Sequence, residues 1–463
     1  MSVTVDPPVY QGISELISRP SSPLDCCALQ DEYVELVCDL ESDPASRRAA
    51  DSYLESRIVC SSGKPLDWAL VPKVFSHSDL GYLRWIAQTT YRIMEKCVRA
   101  YRSDSRVRDF FGFDPITERL CALRAPYECA IPIARVDIFL NEKTGDFQFC
   151  EFNTDGSAGM LTSTEALAAN MRTASGRAFR AAHDVSAMDV MPRCARSILS
   201  CYRSAGGSVD RPRVAVVDYS ESITMPEVRA FEPIFHELGA ELVFEDIRNL
   251  TYESGVLRGV DGTRIDCVWR RVVASEMLCK PCPGAEALVC ALEEGIVPIV
   301  GSMQTWPAAT KTMFALLRDP LASTFLDGDE VSFVRAHIPE TYMLGEGSDL
   351  SAFARRESWI LKPRDGYNGV GVVAGSECGE AEWERALREV ASSRGTIQRY
   401  APQFQTLNCS GRSDLNETLS PHSNMEGLYL FGGEFGGVFT RCGRSAVIAA
   451  DTGRLHTACL ITS

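Results

Sequence analysis

Hydrophobic positions along the chain recur at two different spacings, and the change from one to the other divides it into regions. Leu83, Ile86, Ile93, Met94, Cys97 and Tyr101 return near the 3.6-residue period of a helix with one buried face, and Ser78 or Asp79 stands before them as a candidate cap. Residues 134–140 (ARVDIFL) and 146–152 (DFQFCEF) alternate instead, and 141–145 carry turn residues, so the pattern predicts an antiparallel hairpin. After Gly206-Gly207 the alternation is of whole elements: strands at 214–218, 241–244, 265–269 and 296–300, with helices at 225–238 and around 285–294. That order predicts a three-layer α/β unit. Further on, the pattern predicts a helix at 311–317, a strand at 358–362 continued at 372–373, a helix at 380–390 and a strand at 396–400. Closing strands are expected at 427–431, 437–440 and near 446–449. The first 75 residues are polar and broken by Pro and Ser, and 403–427 reads as a long polar, mobile loop. The expected divisions are a mainly helical region at 1–119, the hairpin with helices at 120–205, the three-layer unit at 206–300, and a last region at 301–463.

Composition narrows the classes. A chain of 463 residues, 45% hydrophobic and 24% charged, excludes a disordered or collagen-like chain and suits two or three domains. A net charge of −15 argues against tracking a nucleic-acid backbone, so an anionic substrate would need a local pocket of Lys, Arg and metal ions. The eighteen cysteines are scattered, and neither a leader-like start nor a run of about 18 apolar residues is present, so a reducing cytoplasm and no membrane partner are expected. Cys279-Lys-Pro-Cys282 is a single C-x-x-C pair without a second pair to complete a zinc site. The three-layer unit has no G-x-G-x-x-G turn after its first strand, so dinucleotide binding is not expected there.

Three constellations carry candidate chemistry. Arg135-x-Asp137 and Glu151-x-Asn153 place side chains two apart on strands, hence on one face each. Should those faces coincide, two carboxylates and an amide oxygen form a hard-oxygen site suited to magnesium; a solvated face of ion pairs explains the same residues equally well. Lys311 and Lys362 form the second group, the latter just before a loop whose Gly366, Gly369 and Gly371 would let backbone N–H groups approach phosphates. An ordinary hairpin turn also accounts for that loop. The third is Thr396-Ile-Gln398-Arg-Tyr400, a strand whose backbone could meet an adenine edge, with Arg441 as a further candidate cation.

The order of these parts resembles an ATP-grasp fold in which the Glu-x-Asn element, usually last, comes first. The runs RVDIFLNEKTGDFQFCEFNTDGSAGM, ATKTMFALL and WILKPRDGYNGVGV resemble the synthetase domain of the glutathionylspermidine synthase family, over roughly residues 120–450. The resemblance implies an α/β fold with α+β elements, a circularly permuted ATP-grasp with an inserted three-layer α/β substrate-type domain. It implies ATP and Mg²⁺ as cofactors, with Asp137, Glu151 and Asn153 as metal ligands. Lys311 and Lys362 would hold phosphates, Gln398 and Tyr400 would border the adenine, and Arg135 with Arg441 would stabilise an acyl phosphate. The activity implied is an ATP-dependent carboxylate–amine ligase acting on small molecules. Simple phosphoryl transfer and a non-catalytic nucleotide-binding role are the alternatives. For the acid substrate, Arg270 or Arg271, at the end of a strand, is the candidate, with a surface basic pair as the equal alternative. Asp155 and Ser157 would contact the acyl phosphate or cap a helix starting near Thr162.

Overall fold

The computed structural model describes residues 18–20, 24–57, 66–366 and 369–462. The long helix forms as its apolar period predicts, over His77–Ser103, and all six of its predicted stripe residues are buried. Its cap lies slightly earlier than expected. The Ser76 hydroxyl accepts the Asp79 N–H at 3.1 Å and the Asp79 carboxylate accepts the Ser76 N–H at 2.8 Å, so two otherwise unpaired donors are satisfied reciprocally. Within the polar first 75 residues the chain nevertheless builds helices at Cys26–Leu40 and Arg48–Arg57, which bury Tyr33, Val37 and Leu54.

The centre of the molecule is a sheet in which Leu455–Thr457, Glu434–Gly443, Ser420–Phe431, Ile133–Leu140 and Phe147–Asn153 lie side by side, with Gln405–Asn408 added along Ser420–Phe431. The segment expected as a mobile loop at 403–427 therefore carries strand at both ends, Gln405–Asn408 and the start of Ser420–Phe431, and the Asn424 side chain donates to the Phe404 carbonyl at 3.0 Å. The strand expected near 446–449 is not formed; the last strands come later, at Leu455–Thr457 and Cys459–Thr462.

A smaller antiparallel sheet, in the order Thr341–Met343, Thr396–Arg399, Trp359–Lys362, Val373–Ala374, faces the large one across a cleft. The three-layer unit is present as a four-stranded parallel sheet, ordered Ile299–Val300, Cys267–Arg270, Arg213–Asp218, Glu241–Asp246. An aromatic cluster fixes the helix that follows Lys311 against the hairpin. Phe314 meets Phe152 edge-on at 4.8 Å between ring centroids, and Phe152 meets Phe149 at 5.3 Å. Such pairs are worth about 0.5–1.5 kcal/mol each beyond the area they bury. They set Lys311 over the hairpin's polar face. Among the described residues no helix is long and apolar enough to cross a membrane.

Candidate functional site

The hairpin pairs Asp137 with Glu151 and Arg135 with Asn153, directly across the ladder, with a register shift after Asp137. Cross-strand partners share a face, so the two predicted pairs do coincide. Arg135 grips Asp137 with two parallel bonds, Nε to Oδ1 at 2.7 Å and Nη2 to Oδ2 at 2.9 Å. Its guanidinium also lies 4.6 Å from the centre of the Phe439 ring. This packing needs a glycine next door. A Cβ on Gly427 would come within 2.7 Å of Arg135 Cδ and 2.8 Å of Asp137 Oδ1, so only the bare backbone of that strand leaves room for the ion pair. Arg441 approaches from the next strand, its Nη2 3.6 Å from Asp137 and 3.9 Å from Glu151.

The two lysines reach the same place from across the cleft, and their situations differ. Lys311 Nζ donates to Glu151 Oε2 at 2.7 Å. Burial by itself disfavours the Glu151 carboxylate, but Lys311 and then Arg441 outweigh it and hold the group well below the ordinary carboxyl range. Lys362 Nζ has only neutral acceptors, the Cys150 carbonyl at 2.9 Å and Gln398 Oε1 at 2.7 Å, and it is buried. Its pKa is lowered, first by burial, with the nearby charge of Lys311 adding to the effect. Among the described residues Lys362 makes no ion pair. Among the described residues, Arg135, Arg441 and Lys311 pair with two carboxylates, Asp137 and Glu151, and Lys362 stands beside them without one. The nearest loop pair, Arg364 with Asp365, balances itself at 3.4 Å.

Away from the charges the cleft becomes apolar, walled by Phe139, Ile360, Val372, Met425 and Ile448 and bordered by Tyr400. Gln398 turns inward: its Nε2 donates to Thr341 Oγ1 at 2.9 Å while its Oε1 accepts from Lys362, so both ends of its amide are engaged. In the glycine loop, Gly369 and Gly371 have φ of +77° and +74°, which side chains beyond glycine rarely adopt, whereas Gly366 does not. The loop rests on the 446–449 segment: a Cβ on Gly369 would lie 2.9 Å from that of Ala449.

Arg270 and Arg271 do not face a ligand. The Arg270 side chain is fully buried; it pairs with Asp155, and its other nitrogens donate to the Gly301 carbonyl at 2.5 Å and the Val272 carbonyl at 2.6 Å. Arg271 pairs with Glu227 at 3.0 Å, and Glu227 also accepts the N–H groups of Gly159 and Leu161. The physical reason is the loop that follows the hairpin: burying it leaves Asp155 and Glu227 in need of counter-charges, and the strand end supplies them. Asp155 caps a different helix from the one expected, accepting the Ala274 N–H at 2.7 Å, and Ser157 donates to the Asn153 carbonyl at 3.1 Å. The C-x-x-C pair is likewise structural in part, since the Cys282 thiol accepts the Ala285 N–H at 3.4 Å at the start of the helix Pro283–Glu294. Gly427 and the part played by Gln398 escaped sequence reading; a glycine inside an alternating strand was the available signal for the first.

No family model and no curated protein matches the chain. Among solved structures it is similar to a glutathione synthetase-like effector from Globodera pallida, with a TM-score of 0.60 and 11% identity over 90% of this chain and 96% of that one. A protein described as a gamma-glutamylcysteine synthetase, from Methylobacillus flagellatus, matches at a TM-score of 0.45 and 12% identity, over 80% of this chain and 88% of that one. The D-alanine–D-alanine ligase from Coxiella burnetii matches at 0.28 and 12%, over 54% and 86%. The last two likenesses are too slight to bear on the fold. The first extends over nearly the whole of both chains, and the fold is the mixed helix-and-sheet, ATP-grasp type expected from the sequence.

Proposed function

We propose that the protein is an ATP-dependent carboxylate–amine ligase that forms an amide through an acyl phosphate, releasing ADP and phosphate, and that its ATP-grasp elements run in the permuted order of the glutathionylspermidine synthase family. The observation that carries this reading is the buried Lys362 ammonium, which lacks a carboxylate partner and sits beside Lys311 and two arginines. A surplus of buried positive charge is costly until an anion enters, and here it stands in a chain of net charge −15. A triphosphate supplies the missing charge, and the apolar end of the cleft, beside Tyr400 and Met425, suits a purine.

Asp137, Glu151 and Asn153 offer oxygen donors on one face of the hairpin, the hard set that Mg²⁺ requires, so the donor chemistry fits the metal. When bound, Mg²⁺ would neutralise charge on the transferring phosphoryl group. The chain's own groups do the rest. With Glu151 available to hold the metal, Lys311 would bind a phosphate oxygen, and Lys362, positioned by Gln398, would bind a second. Arg135 and Arg441 stabilise the negative charge that develops on the acyl phosphate and in the tetrahedral step. The glycine loop, resting on 446–449, keeps water from the reactive anhydride. Screening amino acids, small peptides and polyamines for amine-dependent ADP release tests the reading. Lys362→Ala and Glu151→Gln should each abolish that release while the fold is kept, and undiminished turnover in either would remove the assigned site.

A further inference from the structure

His456 stands on the same face of the large sheet as the cationic cluster, one strand farther out. It is the direct cross-strand partner of Arg441. Its ring meets Phe439, the ring that also supports Arg135, at 5.8 Å and 67°, which fixes it on the same face of the sheet as the Arg135–Asp137 pair. The imidazole is half-buried, but Nδ1 is closed to solvent and has no hydrogen-bond partner. The Nε of Arg441, its neighbour, is also buried without a partner. Two unpaired polar atoms thus sit on cross-strand neighbours beside the cationic cluster, and each calls for an explanation.

The charges that face the ring are all positive. Arg441 lies on the adjoining strand, Arg135 two strands further, and Arg454 on the approach to its own strand. The segment on its other side presents Asp67 through its backbone carbonyl, which accepts the His456 N–H at 2.9 Å, and Glu165 of the overlying helix Met160–Asn170 is turned to Arg57 at 3.4 Å. Burial and the three guanidiniums keep the imidazole neutral well below its usual titration.

Resting on the ligase reading, the geometry points to His456 as the group that takes the proton from the incoming ammonium substrate. The phosphates belong at the lysine side of the hairpin, so the acyl carbon lies near Arg441 and the amine approaches from the outer strand. His456 accepts one proton from R–NH₃⁺. The freed nitrogen lone pair forms the C–N bond, the carbon–oxygen bond to phosphate breaks with its electron pair, and the second N–H proton leaves with the phosphate as HPO₄²⁻. Anions bound beside Arg135 and Arg441 offset the guanidinium charges, which raises the basicity of the imidazole when the base is needed.

Hydroxylamine separates this role from a structural one, because it is already mostly unprotonated at pH 7 and attacks acyl phosphates without a base. With Mg-ATP and a mixture of amino acids and dipeptides as carboxyl donors, His456→Gln should form hydroxamate within about twofold of the wild-type rate. With ammonium chloride or 1,4-diaminobutane as acceptor, the same variant should lose about 100-fold in amide formation at pH 7 and recover about tenfold per pH unit as the amine deprotonates by itself. Equal losses with both kinds of nucleophile, or no loss with either, would overturn the assignment. NMR titration of the wild-type imidazole gives a second readout that needs no acid substrate. Adding Mg-ADP and inorganic phosphate should move its titration upward, and an unmoved titration overturns the proposal. Absence of hydroxamate from every donor in the wild type, with the NMR shift present, locates the failure in the ligase reading, and the proposal falls with it.

Discussion

Arg270 and Lys362 are both buried cations at the end of a strand, yet the protein saturates one and leaves the other with neutral acceptors only. Around Arg270 every guanidinium nitrogen is used and a carboxylate answers the charge. Around Lys362 the charges of Lys311 and Glu151 act in opposite directions, and neither group bonds to it. Matched charges mark a clamp that holds the loop after the hairpin to the three-layer unit; on the function proposed above, unmatched ones mark a place for an anion. The difference also explains why residue type alone misassigns arginines: the sequence shows the cation but not the partner that folding brings to it.

Breaking the clamp should have the largest effect. Arg270→Leu strands the Asp155 carboxylate inside the protein, and losing one partner of a buried pair destabilises by about 3–5 kcal/mol. Urea unfolding of the ligand-free protein checks this, and a loss below 1 kcal/mol would mean the pair is not a clamp. Lys362→Met should behave in the opposite manner. Acid- and amine-dependent ADP formation should fall by about 10²–10³-fold. Stability without ligand should change by less than about 1 kcal/mol, because relief of a desolvated ammonium offsets the donor lost to Gln398. If Lys362→Met unfolds the protein as readily as Arg270→Leu does, the contrast between clamp and site disappears.

The parts of this contrast that the sequence revealed are those with short-range patterns. Alternation located both strands of the hairpin to within a residue, observed at Ile133–Leu140 and Phe147–Asn153, and the two-residue spacing correctly grouped Arg135 with Asp137 and Glu151 with Asn153. The helical stripe from Leu83 to Tyr101 was equally readable. Partners distant in the chain were not. Asp155 lies 115 residues from Arg270, and no local pattern links them. The strand Ser420–Phe431 was recognised only in its last part because its polar residues, Ser423, Asn424 and Glu426, are buried against other polar groups, which hides the alternation. His456 gave no signal, since its meaning comes from the strand beside it.

A subtler test of the site concerns its floor. Gly427→Ala would push a methyl group into the Arg135–Asp137 pair, and overpacking of this kind costs about 1–3 kcal/mol. Because the displaced group belongs to the proposed site, ADP formation should fall more than the loss of stability accounts for; activity retained at full stability loss would show that Arg135 is not held there for chemistry.

The smallest effect falls on the opposite face of the same strand. There Lys73 is paired with Glu142, and Glu426, also fully buried, has to share that one ammonium. Burial and the charge of Glu142 raise the Glu426 carboxyl to about 8, with Lys73 acting against them. The folded chain then keeps a proton between pH 4.5 and 8 that the unfolded chain releases, so this group's contribution to stability is complete below the unfolded pKa and is lost as pH rises toward 8. Glu426→Gln, uncharged at every pH, should remove that slope: the variant should gain on the wild type with rising pH, by at most about 1.4 kcal/mol per pH unit. Urea unfolding of both proteins at pH 5.5, 6.5 and 7.5 measures the difference. Parallel profiles would mean that Glu426 is ionised inside the fold, and that the chain tolerates an unmatched buried charge outside the cleft as well as within it.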